Sequence, residues 1–414
     1  MSKASLVFMG GGWRRVLDPG SAVGAKLAVD DLHDVFTLRL RPGAEIAQTQ
    51  QTVRWLDAEL RAGRCVGGWL SYEWGAALEG VTAPDATPAS LPDAYLVSFQ
   101  RRALQAVADE PQPQPKLTAV PAPESLLRQR GRFERQVEEL RQLIAQGRLY
   151  QLNLTVAFET DAPVSASRGP LDSLLQRFMA PQPVPYGLAV DWGQGRLFGL
   201  SMERCLRLSD DGVASVRPIK GNRPRGSTAR ADAVASAALL GSDKERAENT
   251  MIVDMVRNDL ARVSRAGGVS VTSLLEAVPY TTLWHLESEV RARLLNLNGS
   301  GELLTALLPP ASVTGCPKVS AMHTIAAMEG RRRGAYCGAQ GLWTPDRGVE
   351  LAVAIRQVEV RDGQARVSVG AGIVADSVPN HEWRETCLKA QSALRGLAAL
   401  PVTGSRVTGG SPLA

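Results

Sequence analysis

Residues 349–369 read VELAVAIRQVEVRDGQARVSV, two strand-like runs separated by Asp362-Gly363. Asp-Gly between such runs is a strong signal for a hairpin with a two-residue turn. Elsewhere helical and strand-like segments alternate irregularly, and the strands often come in adjacent pairs. The sequence therefore predicts an α+β fold with antiparallel sheets, and not a doubly wound parallel sheet.

Proline placement divides the chain. Five prolines fall between Glu110 and Glu124, where they interrupt any helix or central strand. We predict an N-terminal region at 1–124 that ends in this linker, a catalytic region at 125–400, and a flexible tail at 401–414 that is rich in Gly, Ser and Pro.

Local patterns on the two sides of the linker differ. Upstream, the apolar runs Cys65–Tyr72 and Ala94–Phe99 are separated by turn residues and predict antiparallel strands. Downstream, helical spacing of Phe133, Val137, Leu140 and Ile144 predicts a helix before the strand-like run at 150–158.

Composition limits the class of protein. Hydrophobic residues make up 44% and charged residues 21% of 414 residues, as in soluble globular proteins. The net charge of +5 is spread along the chain without basic blocks, so we expect an anionic small molecule and no nucleic acid. Five scattered cysteines without a C-x-x-C pair argue against disulfides or structural zinc, and no apolar stretch suggests a leader or membrane span. We expect a cytoplasmic protein.

Paired carboxylates occur twice. In residues 243–260, Glu245 and Glu248 lie on one face of a predicted helix, and Glu382 and Glu385 repeat the E-x-x-E spacing in a second helix ending near residue 395. If the helices face one another, four carboxylates line one cavity, a donor set that suits Mg²⁺. Such spacing is also common on solvated helices.

A second segment, Arg217-Pro-Ile-Lys220-Gly221-Asn222-Arg223, places a lysine in a turn among other cations. Partial burial among cations lowers the pKa of a lysine and makes its amine available as a nucleophile or base. The alternative is a basic surface loop.

Two further segments have features of ligand contacts. Thr314-Gly315 before Cys316-Pro317 predicts a helix start, whose free N–H groups attract a carboxylate. Gly370 and Gly372 lie in a strand-like run and allow a ligand to approach the backbone closely. A capped helix and a buried strand are the plain alternatives.

Taken together, these segments resemble the chorismate-utilising family of anthranilate synthase, aminodeoxychorismate synthase and isochorismate synthase. The matching stretches are Gly147–Thr155, Lys244–Val263, Thr314–Met322, Tyr336–Gly341, Ala354–Arg356 and Gly370–Ala390. The resemblance implies the fold of that family, with antiparallel sheets packed together and helices on the outside.

The resemblance also implies ligand contacts. Glu248 and Glu385 would bind Mg²⁺ directly, with support from Glu245 and Glu382, and the metal would hold the ring carboxylate of chorismate. The remaining substrate contacts would come from Arg356, Tyr336, Thr314, His285, Gln151, Gly221, Asn222, Gly370 and Gly372.

Two positions distinguish branches of this family. In the isochorismate branch the residue matching Gln151 is a lysine that activates water, so glutamine disfavours attack by water. In anthranilate synthases the residue matching Lys220 is typically alanine, whereas aminodeoxychorismate synthases resemble this chain in having Pro-Ile-Lys-Gly.

The implied mechanism is attack of Lys220 on C2 of chorismate, followed by ammonia at C4. Glu203 would be the general acid, although Ser201-Met-Glu203 matches the Ser-Pro-Glu of the family imperfectly. Ammonia would come from a separate glutamine amidotransferase subunit, and the product would serve folate synthesis. Anthranilate synthase component I and a non-catalytic chorismate-binding protein are the alternatives.

Overall fold

The computed structural model describes residues 5–13, 16–17, 24–27, 32–82, 84, 91–107, 120–295, 300–346 and 348–400. The predicted tail and most of the proline-rich linker lie outside these ranges. No described helix is long and apolar enough to cross a membrane.

The described residues form two antiparallel sheets. Nine strands make the first sheet: β1 (Ser5–Met9), β2 (Gly24–Leu27), β6 (Leu104–Ala106), β7 (Gln151–Asp161), β8 (Tyr186–Asp191), β9 (Arg196–Ser201), β15 (Gly315–Cys316), β18 (Gln357–Arg361) and β19 (Gln364–Ile373). Ten make the second: β3 (Leu32–Leu38), β4 (Cys65–Leu70), β5 (Ala94–Phe99), β10 (Arg204–Leu208), β11 (Val213–Arg217), β12 (Ile219–Pro224), β13 (Ser264–Pro279), β14 (Leu283–Leu294), β16 (Ala339–Thr344) and β17 (Gly348–Val353).

Eleven helices accompany the sheets in the described residues: α1 (Glu45–Arg61), α2 (Tyr72–Leu78), α3 (Glu124–Leu127), α4 (Arg130–Ala145), α5 (Val164–Arg168), α6 (Leu171–Met179), α7 (Ala229–Leu240), α8 (Asp243–Ala261), α9 (Ser300–Leu307), α10 (Lys318–Glu329) and α11 (Pro379–Ala398). Mixed helices and antiparallel sheets confirm the predicted α+β class.

Strand order runs β15-β7-β19-β18-β9-β8-β1-β2-β6 in the first sheet and β12-β14-β11-β10-β17-β16-β4-β5-β3 in the second, with β13 on the free side of β14. Strands from before residue 124 therefore belong to both sheets, and neither sheet ends at that position. The division into two regions there stays a prediction.

The core lies between the sheets and under the helices. One buried cluster joins Leu6 and Phe8 of β1 to Trp69 of β4 and Tyr95 of β5, so the two sheets pack face to face in this region. Phe133, Val137 and Leu140 of α4 are buried, which confirms the predicted helix. Burial of large aromatic and aliphatic side chains is the main stabilising contribution to such a core.

Two helices bring the carboxylate pairs into the fold. The buried residues of α8 include Ile252, Val253, Met255 and Val256, and its first turn carries Asp243 and Glu245. The helix α11 begins at Pro379, a residue favoured in the first helical turn, and contacts β19 and α4.

Candidate active site

Two short links carry the chain from one sheet to the other. Glu203 lies in the link from β9 to β10, and Arg356 in the link from β17 to β18. The links are side by side, because Val353 N donates to the Glu203 carbonyl at 3.0 Å and Leu200 N donates to the Arg356 carbonyl at 3.2 Å. Tertiary topology thus brings a carboxyl group and a guanidinium group, 153 positions apart in the sequence, to one place.

A cavity of about 400 Å³ opens at these links. All the predicted site residues line it except Gln151 and Thr314: Glu203, Lys220, Gly221, Asn222, Glu245, Glu248, His285, Tyr336, Arg356, Gly370, Gly372, Glu382 and Glu385. Its size suits a small organic ligand. The structure therefore assembles most of the predicted site, whereas the roles of the residues stay predictions.

Lys220 enters the cavity from an irregularity in β12. The pairing of β12 with β14 shifts register between Ile219 and Asn222, and Gly221 has φ +83°. A bulge of this kind redirects a side chain, and glycine is favoured where φ is positive. The Lys220 Nζ donates to the Ser312 carbonyl at 3.2 Å, and no described carboxylate forms an ion pair with it.

The charge state of Lys220 is set by opposing effects. Burial lowers the pKa of the Lys220 amine, while the negative charges of Glu248 and Glu203 raise it. The net pKa lies below the ordinary value, which makes the neutral, nucleophilic amine more accessible.

Glu203 is the buried acid of the cavity. Burial raises the pKa of its carboxyl group to about 7, although the Lys220 charge opposes this change. A carboxyl group with a pKa near neutrality is able both to donate and to accept a proton.

Arg356 is a cation whose buried tip is incompletely hydrogen-bonded within the described residues. The backbone of Arg356 has φ +50°, and its buried Nη1 atom has no hydrogen-bond partner among the described residues. Burial lowers the pKa of the guanidinium to about 10, so the group remains charged at neutral pH. A buried donor without an acceptor is costly, and a ligand carboxylate would satisfy it.

His285 is held neutral. Burial and the Arg356 charge lower the pKa of its imidazole to about 4, and its buried Nδ1 lacks a partner in the described residues. The ring packs edge to face against Tyr280, with centroids 4.8 Å apart. A neutral ring offers hydrogen bonds to a ligand without adding positive charge.

The four predicted metal-binding glutamates face basic side chains. Arg223 pairs with Glu245 at 2.6 Å, and Lys389 pairs with Glu385 at 2.7 Å. Lys244 lies 3.9 Å from Glu248. Sequence reasoning assigned no role to these three cations, although Lys244 adjoins the first glutamate pair and Lys389 follows Glu385 by one helical turn.

The arrangement of the four glutamates suits a metal ion that takes few ligands from the protein. No group of three or more His, Cys, Asp or Glu side chains in the described ranges is arranged to hold a metal ion by itself. Burial raises the pKa of Glu248, and the charges of Glu385 and Glu382 raise it further against nearby lysines. Mg²⁺ needs only one or two protein carboxylates when water and substrate oxygens complete its coordination, so this donor set fits that ion.

Gln151 lies behind the cavity wall next to Gly372. A Cβ atom on Gly372 would lie 2.9 Å from Gln151 Nε2 and 3.5 Å from Lys220 Nζ. The absence of a side chain at Gly372 therefore leaves room for the Gln151 amide, whereas the Lys220 amine would lie at ordinary van der Waals distance.

The helix start predicted after Thr314-Gly315 is confirmed, although Thr314 is not its capping residue. The helix α10 begins at Lys318 after Pro317, and the Thr314 hydroxyl is buried and donates within its own turn, at 3.1 Å from the carbonyls of Pro310 and Ala311. Thr314 instead places Asn153, a lining residue that sequence reasoning missed, because Asn153 N donates to the Thr314 carbonyl at 2.7 Å.

Comparison with known proteins identifies the family. A family model described as chorismate binding enzyme matches residues 25–395. The chain belongs to this family. The predicted resemblance is thereby confirmed at the level of the family.

Individual relatives of this family member carry more than one name. The chain is 36% identical to an anthranilate synthase component 1 from Aquifex aeolicus over 265 residues. These residues make up 64% of this chain and 52% of that protein. The chain is 36% identical over 297 residues to an aminodeoxychorismate synthase from Streptomyces griseus, which is 70% of this chain and 40% of that protein. The chain thus spans about half, or less, of the length of these relatives.

Solved structures support the fold of the family member. A putative 2,3-dihydroxybenzoate-specific isochorismate synthase from Bacillus anthracis matches 97% of this chain and 98% of that chain, with a TM-score of 0.70 and 21% identity. At this identity the similarity concerns the fold alone.

Proposed function

We propose that this chain aminates chorismate at C4 to give 4-amino-4-deoxychorismate, as the synthase subunit that feeds p-aminobenzoate and folate synthesis. One observation carries the proposal: Lys220 projects into the cavity with its pKa lowered by burial and without an ion pair to a described carboxylate. A lysine at this position is the feature that separates aminodeoxychorismate synthases from anthranilate synthases in the resemblance.

Lys220 and Glu203 divide the chemistry between them. The Lys220 amine forms a bond to C2 of chorismate, and the C4–oxygen bond breaks as Glu203 gives its proton to the departing hydroxyl group. Ammonia then forms a bond to C4, the C2–nitrogen bond breaks, and Glu203 takes back a proton. Because the lysine nitrogen occupies C2, the nitrogen of ammonia is directed to C4.

Cations around the cavity hold the substrate. The Nη1 atom of Arg356, which has no hydrogen-bond partner among the described residues, donates to one carboxylate of chorismate. Tyr336 and the backbone at Gly370 and Gly372 line the same cavity and contact the substrate too. Tyr336 is buried and lines the cavity, so a contact from its side chain to the substrate would be shielded from bulk water. These contacts fix the ring relative to Lys220.

The glutamates hold a divalent cation in this proposal. Glu248 and Glu385 would bind Mg²⁺ directly and Glu245 and Glu382 would support it, as the resemblance implies, and all four line the same cavity. When bound, Mg²⁺ supplies positive charge that neutralises the glutamates and holds the ring carboxylate.

Ammonia is the second substrate. We propose that a glutamine amidotransferase subunit supplies it, as the resemblance implies, and that free ammonium replaces this subunit in vitro at high concentration.

Anthranilate synthase component I is the second candidate, favoured by the relatives that carry this name. Incubation with chorismate, Mg²⁺ and ammonium separates the two. Our proposal predicts a non-aromatic aminated product that requires a separate lyase to yield p-aminobenzoate. Release of anthranilate and pyruvate without any added lyase would show that the proposal is wrong.

A further inference from the structure

Lys244 joins the two carboxylate-bearing helices across the cavity. Its Nζ lies 3.9 Å from Glu248 Oε1 on α8 and 3.6 Å from Glu382 Oε1 on α11. None of the other ion pairs described for the chain connects these two helices. Among the described residues, this ammonium group is therefore the one ion-pair link between the two helices.

The contacts of Lys244 differ from those of the neighbouring cations. Arg223 and Lys389 each make a close hydrogen bond to one glutamate, and Lys389 also donates to the Gly370 carbonyl at 3.0 Å. Lys244 instead shares its charge between two carboxylates at ion-pair distance, and its side chain is 51% exposed. It is the most exposed of the three cations and lies farthest from its glutamate partners.

Helix electrostatics oppose a lysine at this position. Lys244 is the second residue of α8, where the positive end of the helix dipole favours acidic residues. The side chains of Glu248 and Glu382, which are 14% and 5% exposed, offset this effect. Each glutamate is largely removed from water and needs a positive partner.

We propose that Lys244 is a positioning residue that acts as a built-in counter-ion: it holds Glu248 and Glu382 together and competes with the divalent cation for them. The inference rests on the proposed function, in which Glu248 binds Mg²⁺. Binding of the cation is then an exchange of one positive charge for another, and the Mg²⁺ affinity is lower than the glutamates alone would give.

Titration calorimetry with MgCl₂ tests this on the full chain. Lys244→Met keeps an unbranched apolar side chain, one atom shorter, and removes the charge, and we expect its Mg²⁺ dissociation constant to fall by about three- to tenfold. Lys244→Arg keeps the charge and should bind Mg²⁺ like the wild type. Lys26→Met is the matched control, because Lys26 is 40% exposed and pairs with Asp172 away from the cavity.

Thermal unfolding provides a second readout that does not depend on activity. Without Mg²⁺ the Lys244→Met protein should melt below the wild type, because Glu248 and Glu382 lose their shared partner, and Mg²⁺ should raise its Tm by more than it raises that of the wild type.

Unchanged or weaker Mg²⁺ binding in Lys244→Met would overturn the inference and leave the proposed product untouched. If the wild type and all variants fail to bind Mg²⁺, both the proposed metal site and the inference built on it are wrong.

Discussion

The Lys220 Nζ donates a hydrogen bond of 3.2 Å to the backbone carbonyl oxygen of Ser312. This contact joins β12 of the second sheet to the turn at 311–313 that precedes β15 of the first. A neutral acceptor fixes the position of the nitrogen and favours its charged form less than a carboxylate at that distance would. Lys220 is therefore positioned without being held as a permanent ammonium ion.

Lys220→Met removes the nucleophile. We expect the rate of ammonia-dependent turnover to fall by roughly three orders of magnitude, because no other group forms the bond to C2. Chorismate affinity, measured by calorimetry, should change much less. Lys220→Arg tests the nucleophile separately from the charge. Its guanidinium group keeps the positive charge, but it remains protonated and cannot act as a nucleophile. Wild-type turnover in Lys220→Arg would rule out covalent catalysis by this residue.

Glu203→Gln removes the general acid and should lower turnover by roughly 10²- to 10⁴-fold. In the wild type the acidic form is required to expel the C4 hydroxyl group, so this step should slow as the pH rises through about 7, the pKa of Glu203. Single-turnover rates measured from pH 5.5 to 9 check the profile. A wild-type profile without a change near neutrality would contradict the assignment.

Stability should show the same titration with a defined sign. The folded pKa of Glu203 is raised to about 7 from an ordinary 4.5, so the folded state binds the proton more tightly between these values. The free energy of unfolding therefore decreases as the pH rises from 4.5 to 7. In urea unfolding, the free energy of unfolding of Glu203→Gln should increase relative to that of the wild type by on the order of 1–3 kcal/mol between pH 4.5 and pH 8.

Arg356→Met tests whether the unsatisfied guanidinium binds a substrate carboxylate. Chorismate affinity should fall by roughly 30-fold or more, because a carboxylate removed from water loses its charged partner. The ligand-free protein should melt at the same or a higher temperature, since a buried donor without a partner is removed. Both residues carry a Cβ, so the strain of φ +50° is unchanged. A lower Tm with intact chorismate binding would indicate a structural role instead.

Glu385→Gln tests the proposed metal site. The Mg²⁺ concentration for half-maximal turnover should rise by at least roughly tenfold, because an amide oxygen is a weaker ligand for this ion. Glu139→Gln on the exposed face of α4 is the control for the loss of one negative charge. Turnover that disappears in Glu385→Gln also excludes a non-catalytic binding protein, whereas equal Mg²⁺ dependence in both variants would contradict the assignment.

Short-range patterns in the sequence were enough to predict part of the fold. The Asp362-Gly363 hairpin is confirmed, because Arg361 pairs with Gln364 and both turn residues have positive φ. The helix at 133–144 lies within α4. Turn chemistry and apolar spacing are local properties, so no tertiary information was needed for them.

The strand at 349–360 was predicted as one continuous run, and this is wrong. The chain leaves the second sheet after Val353 and enters the first at Gln357, and Arg356 between them has φ +50°. Apolar residues on both sides of the break are buried, so their periodicity does not reveal the change of sheet. This missed break is the feature that turns Arg356 into the cavity.

The candidate site was likewise predicted only in part from the sequence. Spacing within each helix indicated that Glu245 and Glu248, and Glu382 and Glu385, share a face, and the structure places all four in one cavity. The contribution of Lys244 was not predicted, because a bridge between α8 and α11 depends on how the two helices are packed.

The position of the new nitrogen tests the central claim most directly. Wild-type protein is incubated with chorismate, Mg²⁺ and ¹⁵N-labelled ammonium, and the product is examined by NMR for coupling between ¹⁵N and ring atoms. We predict ¹⁵N on C4 of a non-aromatic ring that still carries its enolpyruvyl group. Label on C2, in anthranilate or its precursor, would contradict the account.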